Sequence, residues 1–357
     1  MTDRLSRTRG DIAAARLTGL LVTGASNVRY LSGFTGSSGF LLIEPNGATL
    51  FTDFRYREQA PEELTTGVSL HIVADGSWDA LADALRSSPP GRRIGFESDQ
   101  MAVAEFERLA AACDSVIWEP SERLIEARRA VKDEAEQESI AAAVDLADLV
   151  LEAFVGEIRP GTTENRLAAR LEYRLREAGS GPLPFAPIVA SGERSALPHA
   201  TPSERELRPG DLVLLDFGAR VDGYCSDMTR VFTIGPAAAW QNDVHGAVLA
   251  AAEAAIAAIA PGVEGATVDA AARDSLEAAG LAEQFGHSTG HGLGLDVHEA
   301  PRLHRHESSP LAAGNVVTIE PGVYLPGRGG IRIEQVVVVQ PDGGSILTRS
   351  SSELIEL

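Results

Sequence analysis

Cysteine is scarce in this chain of 357 residues, which contains only Cys113 and Cys225. Two thiols so far apart are too few for a disulfide framework or a cysteine-based zinc site, and they favour a reducing compartment. Basic side chains are also fewer than acidic ones: 31 Lys and Arg against 51 Asp and Glu give a formal net charge of -20. This excess of acid argues against nucleic acid and against an anionic membrane surface as partners.

Long apolar runs are missing as well. The longest lies near residues 247–260, where it is rich in alanine and interrupted by Glu253, and it is too short to span a bilayer. Basic residues near the start of the sequence are followed by no apolar segment, so we expect no signal peptide. These features predict a cytoplasmic protein with no membrane partner.

The length favours two domains, each with a core of its own. In residues 1–125, short apolar runs alternate with helical patterns, which predicts an α/β domain with a mostly parallel or mixed sheet. The expected helices are 5–16, 78–86 and 103–112, and the expected strands are 19–23, 39–43, 48–52, 69–73 and 93–96. A long charged helical stretch, 122–153, is expected to lead into the second domain.

The second part, residues 126–357, contains an internal repeat. Leu207-x-x-Gly210-Asp-Leu-Val-Leu-Leu-Asp216-x-Gly218 matches Leu311-x-x-Gly314-Asn-Val-Val-Thr-Ile-Glu320-x-Gly322 at an offset of 104 positions. Each copy continues into another strand with an acid, which is Asp227 in the first copy and Glu334 in the second. A pseudo-twofold arrangement would bring the four carboxylates to one axis. Helices are expected at 132–157, 163–178, 239–260 and 267–279, with strands around Ile188, Leu212, Val231, Val316 and Ile331.

The first pair of acids flanks a turn signal, Asp222-Gly223, which is typical of a two-residue hairpin loop. With that loop, the register places Asp216 diagonal to Asp227 on one face of the hairpin. Two carboxylates next to the apolar run Leu212–Leu215 are unfavourable unless cations or hydrogen-bond donors compensate them. The stretch therefore indicates a metal or a shared proton.

Histidines are concentrated in one glycine-rich segment, with five of the eight between His287 and His306. Glycine beside histidine in a loop allows close approach to a ligand. Four carboxylates and one imidazole form an oxygen-rich set that balances two divalent cations and suits manganese, with cobalt, iron or zinc as alternatives. Two such cations can lower the pKa of a water molecule and polarise a carbonyl, which is the chemistry of hydrolysis.

Simpler interpretations exist for each of these features taken alone. The Asp216 and Asp227 pair is compatible with a structural turn, and Glu320 with a strand that ends in a turn. Glu334 shares a strand face with Arg332, so a cross-face ion pair is an alternative to metal binding. The conjunction of matching acids in both copies with a histidine segment favours the dinuclear site over these alternatives.

The same motifs carry a family resemblance that covers nearly the whole chain. From about Glu126 onward the sequence resembles the pita-bread metallopeptidases. The earlier part is similar to the creatinase/prolidase-type N-domain through Asn27-Val-Arg-Tyr-Leu-Ser-Gly-Phe-Thr-Gly36 and Thr52-Asp-Phe-Arg-Tyr56. The resemblance implies an α/β N-terminal domain (1–125) and an α+β pita-bread catalytic domain with a pseudo-twofold repeat (126–357). Because of the N-domain, the Xaa-Pro peptidases, prolidase and aminopeptidase P, are a better match than methionine aminopeptidase.

The resemblance also implies roles for individual residues. It assigns metal binding to five residues: Asp216, Asp227, His291, Glu320 and Glu334. Glu320 is expected to shuttle a proton, and His298 to stabilise the oxyanion. His199 and His287 are expected near the substrate, while Arg332 would orient the ligands. Arg302 lies where some prolidases bind the carboxylate of proline, although capping of a loop is an equally reasonable role. His304 and His306 match nothing assignable, which favours a solvated loop.

Three functions remain open from the sequence. The first is an Xaa-Pro dipeptidase, the second is an aminopeptidase P acting on longer peptides, and the third is a non-catalytic pita-bread binding module. Such modules typically lose metal ligands, and none is missing here; the complete set also distinguishes the chain from creatinase. Short proline-containing peptides are the expected partners, and a homodimer is expected from the resemblance alone.

Overall fold

The computed structural model describes residues 2–73, 78–86 and 91–357. Contacts within the chain divide it into two compact units between Arg129 and Ala130. The helices and strands of the first unit are α1 (Thr2–Ala14), β1 (Gly19–Val22), α2 (Ala25–Ser32), β2 (Gly39–Glu44), β3 (Gly47–Asp53), α3 (Gln59–Glu63), β4 (Val68–Val73), α4 (Asp79–Arg86), β5 (Arg93–Glu97), α5 (Val103–Ala112), β6 (Ile117–Ser121) and α6 (Glu126–Arg129).

The first unit is built on one mixed six-stranded sheet in the order β4-β3-β2-β1-β5-β6. Strand β2 is antiparallel to β1 and β3, while the other neighbouring pairs are parallel. This agrees with the predicted α/β alternation. Its apolar core joins the sheet to the helices, with Leu21, Leu42, Ile94 and Leu109 fully or almost fully buried.

Helix α2 was not predicted, and its capping explains why. The N-cap position, Gly24, has no side chain to accept the free backbone N–H groups. Instead Glu97, at the end of β5, accepts hydrogen bonds from the backbone N–H groups of Thr23 and Gly24 at 2.6 and 2.7 Å. Side-chain acceptors normally satisfy such groups from the adjacent sequence. Here the cap comes from more than seventy residues away, so no local pattern indicates it.

The second unit contains a four-stranded sheet, a five-stranded sheet, two short two-stranded sheets and four long helices. Its helices and strands are α7 (Glu134–Phe154), α8 (Glu164–Glu177), β7 (Ile188–Ser191), β8 (Leu212–Phe217), β9 (Arg220–Val221), β10 (Tyr224–Cys225), β11 (Met228–Thr233), α9 (Ala239–Ala257), α10 (Gly265–Ala278), β12 (Gly290–Gly292), β13 (Glu299–Leu303), β14 (Val316–Ile319), β15 (Gly322–Leu325), β16 (Gly329–Arg332), β17 (Gln335–Gln340), β18 (Gly343–Ile346) and β19 (Ile355–Glu356). Within the described residues, no helix combines the length and the apolar composition that crossing a bilayer requires.

The repeat found in the sequence corresponds to two similar halves of this unit. One sheet has the order β19-β11-β8-β7, and the other has the order β13-β12-β14-β17-β18. The antiparallel pair β8 and β11 in the first sheet matches the pair β14 and β17 in the second. Helices α7 and α8 pack on the first pair, and α9 and α10 pack mainly on the second.

Three local predictions for this unit need correction. The expected helix over 122–153 is interrupted, because Val131 forms a β-bridge with Asn315 and α7 begins only after the N-cap Asp133. The histidine-rich segment, predicted as a loop, contributes the short strands β12 and β13. The expected strand around Ile331 is present as β16, but Glu334, expected on the same strand as Arg332, lies in the break at residues 333–334 between β16 and β17.

Candidate active site

The Asp222-Gly223 turn has the conformation that the sequence predicts. Val221 pairs with Tyr224, and the two loop residues have φ angles of 47° and 84°, as a type I′ turn requires. The same register continues into β8 and β11, where Asp216 lies opposite Thr229. Asp227 is therefore diagonal to Asp216, as expected.

The second pair of acids lies at the same end of the matching strand pair in the other sheet. Glu320 follows β14 directly, and Glu334 directly precedes β17. The Glu334 carboxylate accepts a hydrogen bond from the Thr229 hydroxyl at 2.8 Å. The backbone N–H of Glu320 donates to the carbonyl of Thr289, in the histidine segment, at 2.8 Å. Hydrogen bonds thus hold the second pair toward both the first sheet and the histidines.

The acids converge around His291. Candidate ligand atoms of Asp227, His291 and Glu334 all lie within 4.8 Å of one another, and the three residues are buried. His291 Nε2 is 3.4 Å from Glu320 Oε1 and 3.7 Å from Asp227 Oδ2. The structure therefore brings together the predicted ligands from both copies of the repeat.

The protonation of His291 is suited to metal binding. Its Nδ1 lies 3.0 Å from the carbonyl oxygen of Gly292, which can only accept, so Nδ1 carries the proton and Nε2 keeps a free lone pair toward the acids. Burial lowers the pKa of His291 to about 4, so the ring is neutral near pH 7. A neutral imidazole whose other nitrogen donates to a carbonyl is the usual form of a metal-ligating histidine.

The electrostatics of the acids indicate a cation. Burial, followed by the neighbouring carboxylates, raises the pKa of Asp227 and of Glu334 well above the usual range. Burial raises the pKa of Glu320 to about 7, against the opposing effect of Arg332. Asp216 Oδ1 is buried and accepts no hydrogen bond from any described residue. Buried carboxylates in this arrangement need positive charge and additional ligands, and the oxygen-rich donor set fits hard divalent cations.

Arg332 organises the first acid together with a tyrosine that the sequence analysis did not identify. Its Nη2 donates to Asp216 Oδ2 at 2.5 Å, and its Nη1 donates to the Tyr324 hydroxyl at 2.8 Å. The hydroxyl oxygen also lies 2.8 Å from His287 Nε2. Because His287 Nδ1 contacts the Ser288 carbonyl, Nε2 is the acceptor and Tyr324 donates to it. Burial lowers the pKa of His287 to about 4, consistent with this neutral form.

A cleft of about 410 Å³ contains every predicted site residue. Its volume is within the range typical of small-molecule sites. The exposed side chains of His199, His298 and Arg302 line it together with the acids, and the rings of His298 and His291 are 4.3 Å apart. The remaining wall is largely apolar: besides Thr201 and Ser288, it consists of Phe185, Ala186, Pro187, Ile188, Pro198, Ala200 and Pro202.

Two buried acids hold the segments that carry the histidines. Glu164, at the start of α8, accepts hydrogen bonds from Ser191, Ser203 and Arg194, on both sides of His199. Asp269, on α10, accepts hydrogen bonds from Thr289 and Arg273. Arg273 in turn donates to the backbone carbonyls of residues 285 and 287. Nothing in the local sequence distinguishes either acid from a solvent-exposed helix residue.

Comparison with known protein families agrees with this geometry. The model of the creatinase/prolidase N-terminal domain matches residues 4–131, and that of metallopeptidase family M24 matches residues 138–341. The chain belongs to metallopeptidase family M24. The predicted fold, an α/β N-terminal domain followed by a pita-bread domain with a pseudo-twofold repeat, is confirmed.

Similar proteins match along nearly their whole length. An uncharacterized peptidase of Bacillus subtilis, YqhT, is 37% identical over 356 residues, which cover 99% of this chain and 100% of that protein. The structure of an Xaa-Pro dipeptidase from Bacillus anthracis has a TM-score of 0.95 and 37% identity, covering 100% of this chain and 99% of that one. An X-Pro aminopeptidase from Thermotoga maritima has a TM-score of 0.90 and 36% identity, covering 97% and 99%.

Proposed function

We propose that this M24 protein is a metal-dependent peptidase that hydrolyses the peptide bond before proline. The observation that carries the proposal is the convergence of four carboxylates and one neutral imidazole in a single cleft with further histidines at its mouth. Proteins of similar sequence and structure are described as an Xaa-Pro dipeptidase and an X-Pro aminopeptidase. The intact acid set makes a non-catalytic binding module the weaker alternative.

The metal would be held by the five residues that the family resemblance assigns: Asp216, Asp227, His291, Glu320 and Glu334. We propose two divalent ions, with Mn²⁺ as the native metal and Co²⁺, Zn²⁺ or Fe²⁺ as substitutes. When bound, such ions lower the pKa of a water molecule and polarise the carbonyl of a substrate. Arg332 would keep Asp216 in its orientation, because the guanidinium occupies Oδ2 and leaves Oδ1 for the metal.

The other roles follow from where each side chain meets the cleft. The Glu320 side chain is 17% exposed, compared with 12% for Asp216 and 7% for Asp227. We assign to it the transfer of a proton from the attacking water to the departing proline nitrogen. His298 would donate a hydrogen bond to the oxygen of the scissile carbonyl. His199 and His287 would contact the peptide beside it.

We propose dipeptides as the preferred substrates. Arg302 lies on β13 directly opposite His291 and is exposed in the same cleft, where its guanidinium is placed to bind the free carboxylate of a C-terminal proline. An aminopeptidase acting on longer peptides would not need this charge. Turnover of an Xaa-Pro dipeptide and of the matching Xaa-Pro-Xaa tripeptide distinguishes the two, and faster cleavage of the tripeptide would favour the aminopeptidase.

The Asp227→Asn variant tests the metal-dependent mechanism. It removes one carboxylate charge from the centre of the cluster with almost no change in volume, so metal-dependent hydrolysis should be lost. Glu253→Gln, at an exposed position on α9, is the matched control and should behave as wild type. Hydrolysis by chelator-treated Asp227→Asn at the wild-type rate would reject the proposal. A wild-type protein that binds no ion at saturating Mn²⁺ would support the binding-module alternative.

Three further proposals rest on the family resemblance and the composition. We propose a homodimer, which light scattering coupled to size exclusion tests, and a cytoplasmic location, which cell fractionation tests. We also propose residues 1–125 and 126–357 as the functional domains. A truncated chain that begins at Glu126 and still binds Mn²⁺ would support this boundary.

A further inference from the structure

Arg230 is a buried cation directly behind the acid cluster. It follows Thr229, whose hydroxyl donates to the Glu334 carboxylate and accepts a hydrogen bond from Arg332. Because side chains alternate along a strand, Arg230 extends to the opposite side of β11. There it contributes to a separate cavity of about 730 Å³ between α7 and the C-terminal segment. The residue is only 3% exposed.

The guanidinium of Arg230 is bound by neutral acceptors. Its Nη1 donates to the backbone carbonyls of Glu334 at 2.6 Å and of Thr229 at 2.9 Å. Its Nη2 donates to the Gln335 side-chain oxygen at 3.1 Å and to the Ser350 carbonyl at 3.0 Å. None of the described carboxylates forms an ion pair with it, and its Nε has no acceptor in the described part of the chain.

This arrangement is unfavourable for stability by itself. A buried charge without an opposite charge in contact loses its hydration and gains only dipolar contacts in return. Burial accordingly lowers the pKa of Arg230 to about 10, with Asp148 and Glu334 acting against the shift from a distance, so the side chain stays charged near pH 7. An apolar side chain at this position would satisfy the needs of packing, and the arginine therefore needs another explanation.

The pseudo-twofold relation supplies that explanation. Arg230 lies opposite Leu215, which precedes Asp216, and Gln335 lies opposite Ile319, which precedes Glu320. Arg230 and Gln335 thus occupy equivalent positions in the two halves, and they form a hydrogen bond with each other. No β-ladder joins the two sheets in the described residues. The distance between the two pairs of acids is therefore set by individual contacts: those of Arg230, the hydrogen bonds between Thr229 and Glu334, and the bond from Arg332 to Asp216.

We propose that Arg230 is a positioning residue that fixes the spacing between the two halves of the acid cluster. It holds the backbone of Glu334 and the side chain of Gln335, which belong to one sheet, against β11 of the other. Loss of the guanidinium would let Glu320 and Glu334 move relative to Asp216 and Asp227 while each sheet keeps its own hydrogen bonds. The inference rests on the proposed function in that the cluster is taken to hold metal.

Mn²⁺ binding to chelator-treated protein, measured by calorimetry, tests the proposal with three variants. Arg230→Met should bind Mn²⁺ about tenfold or more weakly, the effect typical of residues that position metal ligands. Arg230→Lys keeps the charge with fewer hydrogen-bond donors, so its Mn²⁺ affinity should lie between those of wild type and Arg230→Met. Arg205→Met is the control, because Arg205 is a partly buried arginine of the same unit that binds Asp211 and Ser191 and none of the five ligands. It should keep wild-type affinity even if its melting temperature falls.

Hydrogen exchange of the metal-free proteins separates failure of this inference from failure of the proposed function. Amides of residues 329–340 should exchange faster in Arg230→Met than in wild type and Arg205→Met. Wild-type Mn²⁺ affinity in Arg230→Met, whatever its melting temperature, would overturn the positioning role. If wild type itself binds no Mn²⁺, the proposed function fails, and unchanged exchange at residues 329–340 would then overturn the inference on its own.

Discussion

Replacing Glu320 with glutamine should make the metal-free protein more stable while removing its function. In the folded chain burial raises the pKa of Glu320 to about 7 from a usual value of 4.5. The folded state therefore binds this proton more tightly than the unfolded state does. By linkage, the contribution of Glu320 to the stability of the metal-free wild type should be lost as the pH rises from about 4.5 to 7, and it should not return above pH 7. The glutamine side chain does not ionise, so Glu320→Gln should not show this loss of stability.

The size of the effect follows from the same values. A pKa raised from 4.5 to about 7 corresponds to ~3 kcal/mol of unfolding free energy above pH 7. The second unit, which contains Glu320, spans residues 130–357. For a domain of this size, a difference of this magnitude should raise the melting temperature of metal-free Glu320→Gln above that of wild type by on the order of 6–12 °C.

Scanning calorimetry of chelator-treated protein at pH 5 and pH 8 is the assay. Glu320→Gln should melt above wild type at pH 8 and close to it at pH 5, and the exposed-site control Glu253→Gln should follow wild type at both. Added Mn²⁺ should raise the melting temperature of wild type much more than that of Glu320→Gln, because ligand binding stabilises the folded state. A Glu320→Gln protein that melts at or below wild type at pH 8 without metal would refute the reasoning.

Three further substitutions have distinct expected results. Tyr324→Phe removes the hydroxyl that links Arg332 to His287, so kcat should fall about tenfold or more while bound Mn²⁺, measured by elemental analysis, stays unchanged; full activity would exclude this link from the mechanism. Asp269→Asn leaves the Arg273 guanidinium without its charged partner and should cost about 3 kcal/mol or more in urea unfolding, and a loss below about 1 kcal/mol would contradict its buried role. Arg302→Ala should raise KM for an Xaa-Pro dipeptide and leave KM for an Xaa-Pro-Xaa tripeptide unchanged; equal effects on both would assign Arg302 to the loop alone.

Much of the acid cluster was predictable because its signals are local or periodic. The Asp222-Gly223 pair fixes a two-residue turn, and that turn alone determines the register between Asp216 and the opposite strand. The repeat is readable for a related reason. Gly210 and Gly314 both adopt the left-handed conformation, with φ of 87° and 90°, which few residues other than glycine tolerate. The same turn therefore marks the same place before each acid-bearing strand.

The residues that escaped prediction depend on partners far away in the chain. Tyr324 gains its place from the hairpin β15–β16, whose strands are too short to give a clear pattern. Glu164 and Asp269 are acids in helices, and only the folded structure shows that each is buried against a histidine-bearing segment. Arg230 looks like an ordinary polar residue of a strand, because Glu334 and Gln335, to which it donates, belong to the other half of the pseudo-twofold. Tertiary contacts of this kind leave no periodic trace in the sequence.

The central claim is that the acid cluster acts on proline peptides through bound metal. Titration of chelator-treated protein with Mn²⁺, while hydrolysis of an Xaa-Pro dipeptide and of the matching Xaa-Ala dipeptide is followed, tests it most directly. The account predicts no hydrolysis without metal, a rise in Xaa-Pro hydrolysis that levels off at two ions per chain, and little cleavage of Xaa-Ala. Undiminished hydrolysis after chelation, or equal cleavage of the two dipeptides, would contradict it.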